Sequence, residues 1–161
     1  MKKLIIINGT TGVGKTSVGR LLFKSLSKST FLDGDDVWQI HPFVVNEETK
    51  EMVHKNIAYI LRTYLQSSYE NIIFVWVLHQ QEIIDLIVNG LSGIKYKLYI
   101  FTLIVDEKIL LDRIKSDKNN PRDQQIALDR LRSSLKLNTT KIDSSHLSPN
   151  EVVDKILLAL K

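Results

Sequence analysis

Apolar residues along the chain fall into two alternating rhythms, short β-branched runs and longer stretches with a period near that of a helix. Lys3 to Ile7 is apolar at consecutive positions, which suits a strand buried on both faces, as parallel strands are. Thr16 to Ser27 sets Val18, Leu21, Leu22 and Leu26 on one side and predicts a helix. Thr30 to Leu32 predicts a short second strand that ends in Asp33-Gly34-Asp35-Asp36. Beyond the turn at His41-Pro42, Asn46 is placed to cap a long helix. Its first turn is acidic (Glu47, Glu48), and its stripe is Val53, Ile57, Ile60, Leu61, Tyr64 and Leu65. Asn71 to Leu78 gives the strongest strand signal in the chain. A helix from Gln80 to Leu91 would bury Ile83, Ile84, Ile87 and Val88, and Tyr96 to Val105 reads as a strand. Asp106 then caps a helix carrying Ile109, Leu110 and Ile114. Lys115 to Pro121 is polar and loop-like, a further helix runs to about Leu135, and Asn138 to Ile142 reads as an edge strand. Ser148-Pro149-Asn150-Glu151 forms a capping box with proline at the first helical position, opening a last helix through Leu160.

This alternation predicts an α/β fold in three layers, a central, mostly parallel five-stranded sheet with helices on both faces. Ligands of such sheets bind outside the carboxyl ends of the strands. With no repeat, low-complexity tract or linker, residues 1–161 read as one domain. Hydrophobic residues at 43% and charged residues at 25% are ordinary globular values. The net charge of +4 suits a phosphorylated ligand but is too weak to point to nucleic acid. The chain has no cysteine, which rules out disulfides and thiol catalysis. Leu4 to Ile7 is too short for a signal peptide or membrane span, so the expected location is the cytoplasm, with no membrane partner.

Gly9-Thr10-Thr11-Gly12-Val13-Gly14-Lys15-Thr16 matches G-x-x-x-x-G-K-[ST], the Walker A or P-loop pattern, at every fixed position. Glycines let successive N–H groups turn inward toward phosphate oxygens, and the next helix offers the anion its positive end, with Ser17 in its first turn. Lys15 would reach the β- and γ-phosphates of a nucleoside triphosphate, and the Thr16 hydroxyl would ligate Mg²⁺. The strand before and the helix after complete the required context.

A P-loop site also needs an acidic group near the metal. The strand ending in Leu78-His79 has no carboxylate at its tip, which leaves the task to Asp33 or Asp35. On the phosphate loop and this Asp-Gly-Asp turn, the chain resembles the shikimate-kinase and gluconate-kinase-like small-molecule kinases, of nucleoside-monophosphate-kinase type. That resemblance implies that Asp33 supports the metal and that Asp35 faces the acceptor hydroxyl as orienting group or general base. Asp36 has no counterpart and could cap a helix. The resemblance further implies a lid at about 115–123 whose arginines, Arg122 and Arg113, close over the phosphates, unless both belong to a solvated helix face. Arg130 and Arg132 read as plain surface. Lys141 to Pro149 resembles the loop that borders the nucleotide base. Thr140-Lys141-Ile142-Asp143 is similar to a guanine-reading string, but no D-x-x-G switch accompanies it.

The resemblance places an acceptor-binding insertion at about 36–70. Trp38, His41, Arg62 and His79 are its candidate substrate contacts. Each has a plainer alternative, with Trp38 and Trp76 in the core, His41 in a turn and His79 as a helix cap. Two departures stand out: Leu78-His79-Gln80-Gln81 replaces the glycine run of shikimate kinases, and the lysine- and arginine-rich signature of gluconate kinases is missing. The expectation is a monomer or homodimer that moves the γ-phosphate of ATP·Mg²⁺ to a hydroxyl of a small-molecule acceptor. The alternatives are a nucleotide kinase with a phosphate acceptor, or an ATP-binding regulatory or resistance module without turnover.

Overall fold

Successive residues of the first strand serve two different cores. In the computed structural model, which describes residues 1–161, Ile5 and Ile7 join one buried cluster, and Leu4 and Ile6 join another on the opposite face. The strands are β1 (Lys3–Asn8), β2 (Ser29–Asp33), β3 (Asn71–Trp76), β4 (Lys97–Ile104) and β5 (Thr140–Asp143). The helices are α1 (Lys15–Ser25), α2 (Gly34–Val37), α3 (Glu47–Gln66), α4 (Gln81–Asn89), α5 (Glu107–Ser116), α6 (Gln124–Leu135) and α7 (Pro149–Ala159). One sheet holds the strands in the order β2-β3-β1-β4-β5, and every pairing is parallel. The fold is therefore the expected three-layer α/β arrangement.

Helices α1, α5, α6 and α7 cover one face with Val18, Leu22, Leu110, Leu131 and Ile156. Helices α3 and α4 cover the other with Val53, Ile57, Leu61, Ile84 and Ile87. Burying one such side chain is worth roughly 1.5–3 kcal/mol, so β1, buried on both sides, anchors both layers at once. The long third helix begins where its cap demands, with the Asn46 side chain accepting from Thr49 N–H and Thr49 Oγ1 accepting from Asn46 N–H. The last helix opens with the Ser148–Glu151 box. No helix is long and apolar enough to cross a membrane.

Four details differ from the sequence pattern. The β3 ladder stops at Trp76 rather than Leu78, because β1 ends at Asn8, opposite Trp76. Leu78 N–H is instead satisfied by Asn8 Oδ1 at 2.7 Å. Helix α5 runs on to Ser116, so the polar connection is shorter than Lys115 to Pro121 suggests. The fifth strand starts two residues later and ends one later than expected, at Thr140–Asp143. The cap of α2 is Asp33, not Asp36, because only a residue preceding the helix can turn its side chain back to the first amides.

Candidate functional site

The loop from Gly9 to Gly14 leaves the central strand and enters α1. Gly9, Gly12 and Gly14 have φ of 147°, 82° and 99°, values that L side chains rarely adopt. At Gly9 a Cβ would also lie 2.7 Å from the Leu103 carbonyl oxygen, so only glycine fits. Thr10 Oγ1 donates to the Ala127 carbonyl at 2.7 Å, pinning the loop to α6, and Val13 is buried in the core. Helix α1 has no side-chain cap, so its first amides are left for an anion. Lys15 Nζ donates to the Thr10 carbonyl at 2.9 Å. Burial pulls its pKa down to about 8, opposed by Asp35 and Asp33 and reinforced by Arg122 and Arg130.

Beside this cradle, Thr16 Oγ1 donates to Asp33 Oδ2 at 3.0 Å. Asp33 Oδ1 accepts the Asp35 N–H at 3.1 Å, so the cap of α2 fixes the carboxylate against Thr16. A hydroxyl and a carboxylate side by side suit Mg²⁺, which takes few protein ligands and keeps waters and phosphate oxygens for the rest. A cavity of about 280 Å³ here is walled by Thr11, Lys15, Ser17, Asp35, Asp117 and Arg122. Arg122 is ion-paired with Asp117 at 3.2 Å.

A larger cavity of about 570 Å³ opens between α2, α3 and the end of β3. Asp35 belongs to its wall as well as to the phosphate cavity. The Trp76 indole N–H donates to Asp35 Oδ1 at 3.1 Å. Trp76 packs so closely under Gly34 that a Cβ there would fall 2.3 Å from the indole. His54 and His79 also face this cavity, and burial lowers both pKa values, with Lys50 adding to the effect on His54 and Arg130 to that on His79. Trp38 Nε1 and His79 Nδ1 are buried without a hydrogen-bond partner.

The structure gathers some of the sequence candidates and disperses others. Trp38 and His79 line the large cavity, and His79 is not the cap of α4, whose preceding residue is Gln80. His41 is exposed and lies outside the lining, although Ile40 and Phe43 are part of it. Arg62 is engaged elsewhere, donating to the carbonyls of Gly90 and Ser92 at 2.9 and 3.0 Å. Arg113 donates to the Ser144 and Ser145 carbonyls and flanks a separate cavity with Gly12, Ser17 and Leu147. It thus borders the phosphate loop from a neighbouring cavity, which shares Gly12, Gly14 and Ser17 with the one that holds Lys15 and Arg122. Arg132 pairs with Glu107 at the surface, as its sequence context suggests. Arg130 does not behave as plain surface; it is half-buried in the large cavity and makes no ion pair. Sequence reasoning also missed Phe43, Lys50 and His54. Lys50 and His54 are four residues apart, on one shoulder of the α3 stripe, which is the signal that could have found them.

A strand, a glycine-turned loop and an uncapped helix, next to a hydroxyl–carboxylate pair, make up a P-loop on an α/β sheet. The model of the family described as AAA domain matches residues 5–136, and the chain belongs to that family. Curated proteins yield no match. Among solved structures, the tunicamycin resistance protein of Deinococcus radiodurans is similar at 21% identity and a TM-score of 0.79, over 99% of this chain and 96% of that one. A gluconokinase from Sinorhizobium meliloti 1021 aligns at 16% identity and 0.73, covering 99% and 91%. Shikimate kinase from Acinetobacter baumannii, in complex with shikimate, aligns at 19% identity and 0.68, covering 99% and 93%. The fold is thus that of the shikimate- and gluconate-kinase-like group.

Proposed function

We propose that the protein transfers the γ-phosphoryl group of ATP to a hydroxyl of a small molecule held in the 570 Å³ cavity. The observation that carries this reading is the position of Asp35, in the wall of both the phosphate cavity and the larger one. A carboxylate so placed can accept the hydroxyl proton while the hydroxyl oxygen attacks the γ-phosphorus. The bond to the β,γ-bridging oxygen breaks, and ADP leaves. The amides of Gly9 to Gly14 and Lys15 hold the phosphates, and Thr16 with Asp33 would hold Mg²⁺. That ion, when bound, neutralises charge on the β- and γ-oxygens. Arg122 would exchange Asp117 for the phosphoryl oxygens as residues 115–123 close, with Arg130 as a second cation from the acceptor side. Arg113 and the 141–149 loop would border the base, and residues 36–70 would form the acceptor-binding part.

A phosphate acceptor, as in a nucleotide kinase, would call for several unpaired cations. The large cavity offers Arg130 and Lys50, and Lys50 is paired with Glu47 at 3.0 Å. A hydroxyl acceptor therefore fits better. The likeness to a tunicamycin resistance protein favours hydroxyl-bearing antibiotics among the acceptors to try, and keeps alive a resistance module that binds ATP without turnover.

The test is ADP release over a panel of sugars, sugar acids, aminoglycosides, nucleosides, nucleotides and tunicamycin-type compounds, followed by Asp35→Asn. The substitution should lower kcat at least about a hundredfold, the usual scale for losing a general base, while ATP affinity stays within about twofold. If Asp35→Asn weakens ATP·Mg²⁺ as much as Asp33→Asn does, the division of labour between the two carboxylates is wrong.

A further inference from the structure

The wall of the large cavity carries information about what enters it, on the reading that this cavity is the acceptor site. Trp38 lies 6.1 Å from Phe43 and 6.2 Å from Trp76 between ring centroids, and His54 meets Trp76 edge-on at 5.8 Å. Four rings drawn from the end of α2, the following loop, α3 and the end of β3 therefore form one continuous surface. Phe43 is 67% exposed, so this surface extends to the mouth. Seven of the thirteen lining residues are hydrophobic, and the cavity's 570 Å³ falls in the range of about 300–1,000 Å³ typical of drug-sized ligands. Burial lowers the pKa of both histidines and so favours their neutral rings. A small polyol or sugar acid would leave most of this apolar surface wet, with Asp35, Gln39, Arg130, a paired Lys50 and the Trp38 indole N–H as its hydrogen-bonding side chains beside the histidines.

We propose that the cavity selects an amphipathic ligand, a hydroxyl compound bearing a flat unsaturated ring, with the ring against Trp38, Phe43 and Trp76 and the hydroxyl at Asp35. Offset or edge contacts between the ligand ring and these side chains supply the selectivity, and the hydroxyl supplies the chemistry.

The chain's two tryptophans both lie in this wall, so its intrinsic fluorescence reports on the cavity without any need for turnover. The full-length protein is titrated with matched pairs, phenyl β-D-glucopyranoside against glucose and uridine against ribose, with gluconate as the acidic control. The ring-bearing partner of each pair should bind about tenfold or more tighter, equivalent to about 1.4 kcal/mol. Phe43→Ala, at an exposed loop position that the core does not need, should remove at least half of that margin, as should Trp38→Leu. Equal affinity within the pairs, tighter binding of gluconate, no saturable change with either ring-bearing probe, or a margin untouched by Phe43→Ala would each overturn the proposal. Ring-selective binding without ADP release from any hydroxyl compound would uphold the selection while removing the phosphotransfer reading, so the two fail separately.

Discussion

The two halves of the site are built on different principles. The phosphate half is one contiguous segment, Gly9 to Ser17, whose recognition groups are mainly backbone amides set by three left-handed glycines and a helix end. The half proposed to take the acceptor is assembled from side chains of α2, the 38–45 loop, α3, the end of β3 and α6, far apart in sequence. Backbone recognition tolerates little variation, because a Cβ at Gly9 meets the neighbouring strand's carbonyl at 2.7 Å. Side-chain recognition can change one residue at a time without moving the sheet. On the proposed reading, the difference teaches how one scaffold would keep a fixed donor site while the acceptor changes, and Asp35, in the wall of both cavities, is where the two halves meet.

The sharpest way to break this comparison is at Lys15. Lys15→Ala should weaken ATP binding by about a hundredfold or more, since a buried ammonium pairing with phosphate is worth several kcal/mol once desolvated, and calorimetry measures it directly. It should leave binding of acceptor probes within about twofold. A finer version uses pH. With its pKa pulled down to about 8 by burial, Lys15 in the free protein loses its charge progressively as the pH rises past that value. Bound phosphates favour the charged form and so raise its pKa. ATP affinity is therefore full below pH 8 and should fall about tenfold per unit above it, until the pKa of the bound state is reached. The same coupling predicts proton uptake when ATP binds at pH 8.5–9, visible as a buffer-dependent binding enthalpy. A flat affinity from pH 7 to 10 would show that Lys15 does not give up its charge in this range, and Lys15→Ala then decides whether it meets the phosphates.

Much of the phosphate half was legible because its determinants are local: glycine spacing, a lysine, a β-branched strand before and a helical stripe after. The same locality made the Asn46 and Ser148 caps readable. The acceptor half resisted because its members are joined only by the sheet order. Arg130 looks solvated on α6 alone, and becomes a cavity residue only once α6 crosses beside the end of β3. Trp76 looks like core and is only 7% exposed, yet its indole N–H holds Asp35. Arg62 sits on the right helix but two turns beyond His54, and its guanidinium is engaged by the carbonyls of Gly90 and Ser92, just past α4. No linear pattern distinguishes it from a ligand contact.

The next effect sharpens the boundary between the halves. Trp76→Phe keeps the ring against Gly34 but removes the N–H that fixes Asp35 Oδ1. Losing one hydrogen bond to a charged group costs roughly 1.5–3 kcal/mol in general, and less where water can reach the carboxylate, as it can at exposed Asp35. A fall in kcat of about fivefold with the KM for ATP unchanged is expected. If stability drops while kcat holds, Trp76 is a packing residue that happens to touch Asp35.

The smallest expected effect tests whether the acceptor half has an edge. Arg62 donates to the carbonyls of Gly90 and Ser92, fastening the C-terminal end of α3 to the turn after α4. Exposed contacts of this kind contribute about 0.5–1.5 kcal/mol each at most, because water competes for both partners. Arg62→Ala should therefore lower stability by about 1 kcal/mol in urea unfolding, with an unchanged slope, and leave acceptor selection and ATP affinity alone. Since α3 also carries Lys50 and His54 into the cavity, a change in acceptor preference would mean that the helix shifts as a rigid rod when its far end is freed. The cavity's selectivity would then depend on how α3 is anchored as well as on the rings that line it.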